Sequence, residues 1–232
     1  MLALGVVILL SYLIGSVPSS IWVGKVVKGV DIRNHGSGNA GATNTFRLLG
    51  WPSGVTVLLI DVFKGFVCAY WVSQIAYHIG SGPVALIPNW EINSFLAITC
   101  GLIAVVGHMF PLYAHFDGGK GMATAAGMLL GIEPISVGIT FAVFLIILFS
   151  FNYVSLASLV AAFIYPLMLL LLRYGFKWDI DGSILIFGAL VGLAIIVKHR
   201  GNINRLLNGD ENKVSSFKPA VGWLNKEEKG SE

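Results

Sequence analysis

Residues 94–114 have the sequence SFLAITCGLIAVVGHMFPLYA, in which no residue is Asp, Glu, Lys or Arg. A helix rises about 1.5 Å per residue, so this stretch is long enough to cross the roughly 30 Å hydrocarbon core of a bilayer. Backbone polar groups within hydrocarbon must be paired inside the protein, and a helix pairs them within the segment itself. The stretch therefore predicts a transmembrane helix.

The same pattern recurs along most of the chain, which is 56% hydrophobic and only 12% charged. The first apolar segment has no basic residue before it, so we interpret it as a retained span and not as a cleaved signal. The pattern predicts an all-α fold, a polytopic membrane helix bundle with seven transmembrane helices. We expect one domain over residues 1–209 and a polar tail over residues 210–232. The predicted spans are about residues 2–24, 54–77, 94–114, 122–133, 135–150, 154–172 and 182–198.

The basic residues predict the orientation of these spans. Twelve of the fifteen follow the first, third or seventh span, and the segment from His78 to Ser94 contains none. Because Lys and Arg concentrate in cytoplasmic loops, the N-terminus is predicted to lie outside and the C-terminus in the cytoplasm. The fourth predicted span is short for a crossing, and the count of seven depends on it.

Three polar islands lie at the predicted cytoplasmic ends of the spans. They are the first island, Ser37–Arg47 (SGNAGATNTFR), the second, Gly118–Gly121 (GGKG), and the third, Lys198–Arg205 (KHRGNINR). A glycine-rich backbone can turn its N–H groups onto an anion, and Arg or Lys adds positive charge. A helix predicted to begin at Met122 would add its dipole. Together the islands predict one composite phosphate site, although the first alone could be an ordinary turn and the third a cytoplasmic anchor.

Other polar residues within the spans favour structural roles. Asp61 and Lys64 are three residues apart, so on a helix they share a face and can neutralise each other inside the bundle, and a substrate role for Lys64 is the alternative. We expect His108 to be a structural hydrogen-bonding group, and we see no histidine paired with a carboxylate. Cys68 and Cys100 lie in apolar runs and are expected to be packing residues.

In order and spacing, three segments of this chain resemble the signature segments of the bacterial acyl-phosphate:glycerol-3-phosphate acyltransferase family. These segments are GSGNAGATNTFR, HMFPLYAHFDGGKGMAT and KHRGNINRLLNGDE. The resemblance implies transfer of a fatty acyl group from acyl phosphate to the sn-1 hydroxyl of glycerol 3-phosphate, which yields lysophosphatidic acid and phosphate for phospholipid biosynthesis. It implies a multi-pass protein of the bacterial inner membrane, in contact with lipid, with a cytoplasmic active site. It implies no cofactor, metal or nucleic acid, and it leaves the oligomeric state open.

The same resemblance carries roles over to individual residues. It implies catalytic roles for Ser37, Arg47, Lys120, His199 and Asn202. It implies substrate binding by Gly38, Asn39, Thr43, Asn44, Gly118, Gly119, Gly121 and Arg205. The proton of the attacking hydroxyl could pass to His199 or to a phosphate oxygen of the substrate.

Three other functions compete with the acyltransferase. A transporter of phosphorylated solutes also uses glycine-interrupted spans, but its critical groups belong near the midplane of the membrane. A metal-dependent phosphotransferase needs paired Asp residues, and those of this chain are scattered. A purely structural bundle would tolerate alanine at Arg47 and Lys120.

Overall fold

The structure is a computed structural model that describes residues 1–80, 82–83, 87 and 90–211. Regular secondary structure in these residues is helical throughout, as predicted. The helices are α1 (Leu2–Gly15), α2 (Ser19–Lys28), α3 (Ala42–Leu49), α4 (Trp51–Val67), α5 (Ser73–Ile75), α6 (Ile92–Met109), α7 (Met122–Ile132), α8 (Pro134–Phe151), α9 (Val154–Leu170), α10 (Gly182–Lys198) and α11 (Arg200–Asn208). Single π-helical turns, Cys68–Val72 and Leu171–Gly175, extend α4 and α9.

Several helical segments are long and apolar enough to cross a membrane. Among the described residues there are five, or six if α10 and α11, which are bent by 56° at His199, count as one broken span. The five are Leu2–Lys28, Trp51–His78, Ile92–Ala114, Pro134–Phe151 and Val154–Gly175. Helix α7 has 11 residues, and its length of about 16 Å is about half the hydrocarbon thickness. The membrane character is confirmed, whereas the count of seven spans and their orientation stay predictions.

The chain divides into two compact units, and the described residues of the first fall within 1–84 and 96–132. Helices α4 and α7 of this unit touch backbone to backbone. A Cβ atom on Gly127 would lie 1.8 Å from the Val62 carbonyl oxygen, and one on Gly65 would lie 2.0 Å from that of Thr124. Only glycine permits so close an approach, which is a common way to pack helices in membranes. The contact fixes the position of α7 on α4.

The second unit comprises the described residues within 85–95 and 133–217. Here α9 packs against both α8 and α10. Two carboxylates cap helices by accepting backbone N–H bonds, Glu133 from Ser136 at 2.7 Å and Asp181 from Ser183 at 2.9 Å. This unit carries the third island at its last helices, and the first unit carries the other two islands.

Candidate functional site

The first island is a tight loop followed by the start of α3. Asn44, which is 1% exposed, holds this loop with its side chain. Its Nδ2 donates to the carbonyl oxygens of Ile32 (3.1 Å) and His35 (3.0 Å), and its Oδ1 accepts from the Ser37 N–H (3.0 Å). These contacts use both ends of the amide. The geometry therefore favours a role for Asn44 in shaping the loop, while Ser37, Thr43 and Arg47 are exposed.

The second island packs against the C-terminal end of α6. The Gly119 N–H donates to the His108 carbonyl oxygen at 3.1 Å. A Cβ atom on Gly118 would lie 2.1 Å from that same oxygen, and one on Gly119 would lie 2.5 Å from the carbonyl oxygen of Ala40 in the first island. The glycines are thus required by close packing, and the two islands meet at Gly119.

Arg33 connects the loop before the first island to the turn before the second. Its Nη1 donates to the carbonyl oxygens of Ala114 (3.1 Å) and Asp117 (3.2 Å), and its Nη2 lies 2.8 Å from Asp31 Oδ2. The hydrogen bond from Arg33 holds the pKa of the Asp31 carboxyl below its usual value. The sequence did not reveal this role, because Arg33 is one of several basic residues after the first span. Their presence is already explained by a cytoplasmic loop at that place.

The first two islands line one cavity of about 290 Å³. Its walls come from the first island with α3, from α4 and α6, and from the second island with α7. The lining residues are Asn39, Gly41, Ala42, Thr43, Leu58, Asp61, His108, Lys120, Gly121, Met122 and Ala123. The cavity therefore brings together Asn39, Thr43, Lys120 and Gly121 of the predicted site.

The N-termini of two helices, α3 and α7, open onto this cavity. Ala42 and Thr43 begin one helix, and Met122 and Ala123 begin the other. The first N–H groups of a helix have no partner within it and carry partial positive charge. With the exposed Lys120 beside them, they form a positive surface suited to a phosphate group.

Asp61 and His108, which line the cavity, belong to a buried polar cluster with Lys64 and Ser19. Asp61 Oδ1 accepts from Ser19 Oγ (2.7 Å) and lies 2.9 Å from Lys64 Nζ, so the predicted ion pair is confirmed. Lys64 Nζ also donates to the Val17 carbonyl oxygen (3.0 Å) and lies 2.9 Å from His108 Nδ1. A protonated Lys64 makes Nδ1 an acceptor, which puts the proton of a neutral His108 on Nε2.

This cluster also shows a proximity that the sequence does not reveal, that of His108 to a carboxylate. His108 Nδ1 is 3.4 Å from Asp61 Oδ1. The two residues are far apart in the sequence, and they form an ion pair only when the ring of His108 is protonated. The structural hydrogen bonding predicted for His108 is confirmed, although its ring also lines the cavity.

The third island lies in the second unit, at the bend between α10 and α11. His199 Nδ1 donates to the Ile195 carbonyl oxygen at 2.8 Å, so Nε2 of the neutral ring is an acceptor. Asn202 and Arg205 of α11 both donate to Glu211, at 2.9 and 2.8 Å. The hydrogen bond from Asn202 is the main cause that lowers the pKa of Glu211. The composite site of all three islands stays a prediction.

Known proteins are similar to this chain over a region that includes all three islands. The sequence model of the family described as "Glycerol-3-phosphate acyltransferase" matches residues 5–209. Two relatives with this name, from Salinibacter ruber and Chlorobium phaeovibrioides, are 47% and 44% identical to the chain. The alignments cover 98% and 95% of this chain and all of each relative.

Two solved structures are also similar, and both are of PlsY (YgiH), an integral membrane glycerol 3-phosphate acyltransferase. The glycerol 3-phosphate form is 34% identical with a TM-score of 0.64, and covers 96% of this chain and 98% of its own. The lysophosphatidic acid form is 35% identical with a TM-score of 0.67, and covers 93% and 97%.

Proposed function

The chain belongs to the glycerol-3-phosphate acyltransferase family, and from this premise we propose the donor, the acceptor hydroxyl and the residues of its reaction. The enzyme is a glycerol-3-phosphate acyltransferase. We propose that it takes the acyl group from acyl phosphate and transfers it to the sn-1 hydroxyl. The observation that carries the site is the cavity where Lys120 and the N-termini of α3 and α7 meet.

Positioning is the main task for this chemistry. Acyl phosphate is a mixed anhydride with a good leaving group, so the enzyme has to bring an anionic donor and an anionic acceptor together. The hydroxyl oxygen attacks the acyl carbonyl carbon and forms the ester bond, while the anhydride C–O bond breaks and phosphate leaves with the electron pair. The helix N-termini and Lys120 would hold phosphate oxygens, and Arg47 would offer paired donors to another phosphate.

The hydroxyl proton has two possible acceptors. His199 is supported as a base by its Nδ1–H bond to Ile195, because this bond leaves Nε2 able to accept a proton. A phosphate oxygen next to the nucleophile could take it instead. For the second route, His199→Ala should lower kcat moderately, whereas loss of nearly all turnover with both substrates still bound would identify His199 as the base.

We propose that the protein crosses the inner membrane seven times, with α7 and α10 as the additional crossings and the islands on the cytoplasmic side. The family match ends at residue 209, which supports a catalytic domain over residues 1–209. Residues 212–232 of the tail lie outside the described residues.

The reaction and its site are tested with purified protein supplied with acyl phosphate and glycerol 3-phosphate. Phosphate release and lysophosphatidic acid should appear in equal amounts. Arg47→Ala and Lys120→Ala should each lower kcat/KM about tenfold to a hundredfold, since each removes hydrogen bonds to a charged group. Lys28→Ala, the same charge change at the exposed end of α2, is the control and should leave activity unchanged.

The site residues and the acyl donor are contradicted by different results. Full activity in both island variants would remove these residues from the site. If folded native protein neither releases phosphate nor acylates the acceptor, acyl phosphate is not the donor, and uptake of phosphorylated solutes into vesicles becomes the next measurement.

A further inference from the structure

We propose that Asp61 binds the secondary hydroxyl of glycerol 3-phosphate at the floor of the cavity, and so selects an acceptor that carries this group. The inference rests on the proposed function, because it assigns a residue to the acceptor of that reaction. On sequence alone, Asp61 is only the structural partner of Lys64.

The two carboxylate oxygens of Asp61 have different surroundings. Oδ1 accepts from Ser19 Oγ at 2.7 Å and lies 2.9 Å from Lys64 Nζ. Oδ2 is fully buried and has no hydrogen-bond partner within the described part of the chain. Buried polar atoms are nearly always paired, and an unpaired oxygen of a charged group destabilises the protein. A donor from a bound ligand would satisfy Oδ2.

The position of Asp61 is suited to such a ligand. Its side chain is 1% exposed, and it lines the same cavity as Lys120 and the first residues of α3 and α7. A carboxylate repels phosphate and can only accept hydrogen bonds, so a ligand group next to Asp61 has to be a neutral or positive donor. An acceptor molecule with a phosphate at one end and hydroxyls at the other fits this polarity, with its phosphate at the positive surface and a hydroxyl on Asp61.

The ion pair with Lys64 lets a carboxylate remain in a site that binds anions. Lys64 Nζ is fixed by the Val17 carbonyl oxygen and by His108 Nδ1, at 3.0 and 2.9 Å. The positive charge of Lys64 offsets the negative charge of Asp61, so the net charge at this wall of the cavity is close to zero. Oδ2 nevertheless keeps its strength as a hydrogen-bond acceptor.

The secondary hydroxyl fits Asp61 better than the reacting one. The reacting oxygen has to meet the carbonyl carbon of a donor whose acyl chain lies in lipid. Asp61 is enclosed by Ser19, Lys64 and His108, so a hydroxyl bound to it is held on the protein side. Binding there would orient the primary hydroxyl toward the donor, which is how anchoring a remote group speeds a reaction.

The test compares glycerol 3-phosphate with 3-hydroxypropyl phosphate, which differs only in lacking the secondary hydroxyl. The native enzyme should prefer glycerol 3-phosphate in kcat/KM by about tenfold to a hundredfold, the value of one hydrogen bond to a charged group. In Asp61→Asn, where an amide replaces the acceptor oxygen, this ratio should fall severalfold or more.

Two further variants separate binding from folding. Ser19→Ala removes a contact of Oδ1 only, so its ratio should match the native one even if its activity is lower. Asp61→Ala combined with Lys64→Met replaces the buried ion pair by apolar groups, a change that proteins often tolerate, and its ratio should be close to one.

Either of two results would overturn the inference. The native enzyme could use both acceptors equally well, or the Asp61 variants could lose activity on both acceptors alike and keep the native ratio, which would make Asp61 structural. If the native enzyme acylates neither acceptor from acyl phosphate, the proposed donor has failed and not the role of Asp61.

Discussion

Glu211 accepts hydrogen bonds from Asn202 and Arg205, and Asp31 pairs with Arg33 in the same way. In both cases a carboxylate holds the basic residue of a loop or helix end in one orientation. Arg33 then reaches the Ala114 and Asp117 carbonyl oxygens. At the scale of single residues, Arg33 and Arg205 are thus directed by acidic neighbours.

The Asp31–Arg33 pair gives a pH dependence whose sign follows from the lowered pKa of Asp31. A carboxyl with a lower pKa in the folded state stabilises the protein above its unfolded pKa, and this stabilisation is lost as the pH falls through the folded value. Asp31→Asn should therefore lower the free energy of unfolding by about 1 kcal/mol or less at neutral pH. The apparent melting temperatures of variant and native protein should converge below about pH 4. A difference that persists unchanged in acid would exclude the ion pair as its cause.

Helix α7 is positioned by its contact with α4, and the site depends on that contact. The cavity is lined by Met122 and Ala123 of α7 and by Leu58 and Asp61 of α4. Gly127 touches the Val62 carbonyl oxygen on the same pair of helices. At the scale of elements, the distance between two helix backbones sets the width of the cavity.

Gly127→Ala should force α4 and α7 apart, because the new Cβ would lie 1.8 Å from a backbone oxygen. We expect a loss of about 1–3 kcal/mol in the free energy of unfolding and a lower kcat/KM. Gly5→Ala is the matched control, since a Cβ atom on Gly5 of α1 would have nothing within 4 Å of it. The measurements are the thermal unfolding and the kcat/KM of both variants. If Gly127→Ala unfolds and reacts like Gly5→Ala, the close contact is needed neither for stability nor for activity.

Hydropathy predicted most helices at this scale, because apolar length alone distinguishes a span from a loop. It also predicted the short helix over 122–133, which is α7 with 11 residues, but it could not predict that α7 packs against α4. The islands were found from their glycines and basic residues. The cluster of Asp61, Lys64 and His108 was found only in part, because contacts between distant helices leave no local pattern.

Over the whole molecule, the seven predicted crossings are testable by labelling. Cys68 and Cys100 are buried and free, so replacing both by alanine gives a background for single cysteines at the exposed positions His78 and Asn208. With the N-terminus outside and seven crossings, His78→Cys should react with an impermeant maleimide in intact cells. Asn208→Cys should react only after permeabilisation.

The two positions together also report whether the chain crosses the membrane an odd or an even number of times between them. If both cysteines are labelled from outside, one of the two additional crossings, α7 or α10, is absent. Labelling of Asn208→Cys alone from outside would invert the whole prediction, since the basic residues after the last span would then lie on the wrong side.

The glycine contact between α4 and α7 also bears on how the protein is made. A segment of 11 residues is shorter than the roughly 17–25 residues that span a bilayer as an independent helix. Ribosomal synthesis delivers α4 first, so α4 can serve as a docking surface for α7 when it leaves the translocon. The enzyme would thus carry within its own chain the template for inserting the shortest of its predicted spans.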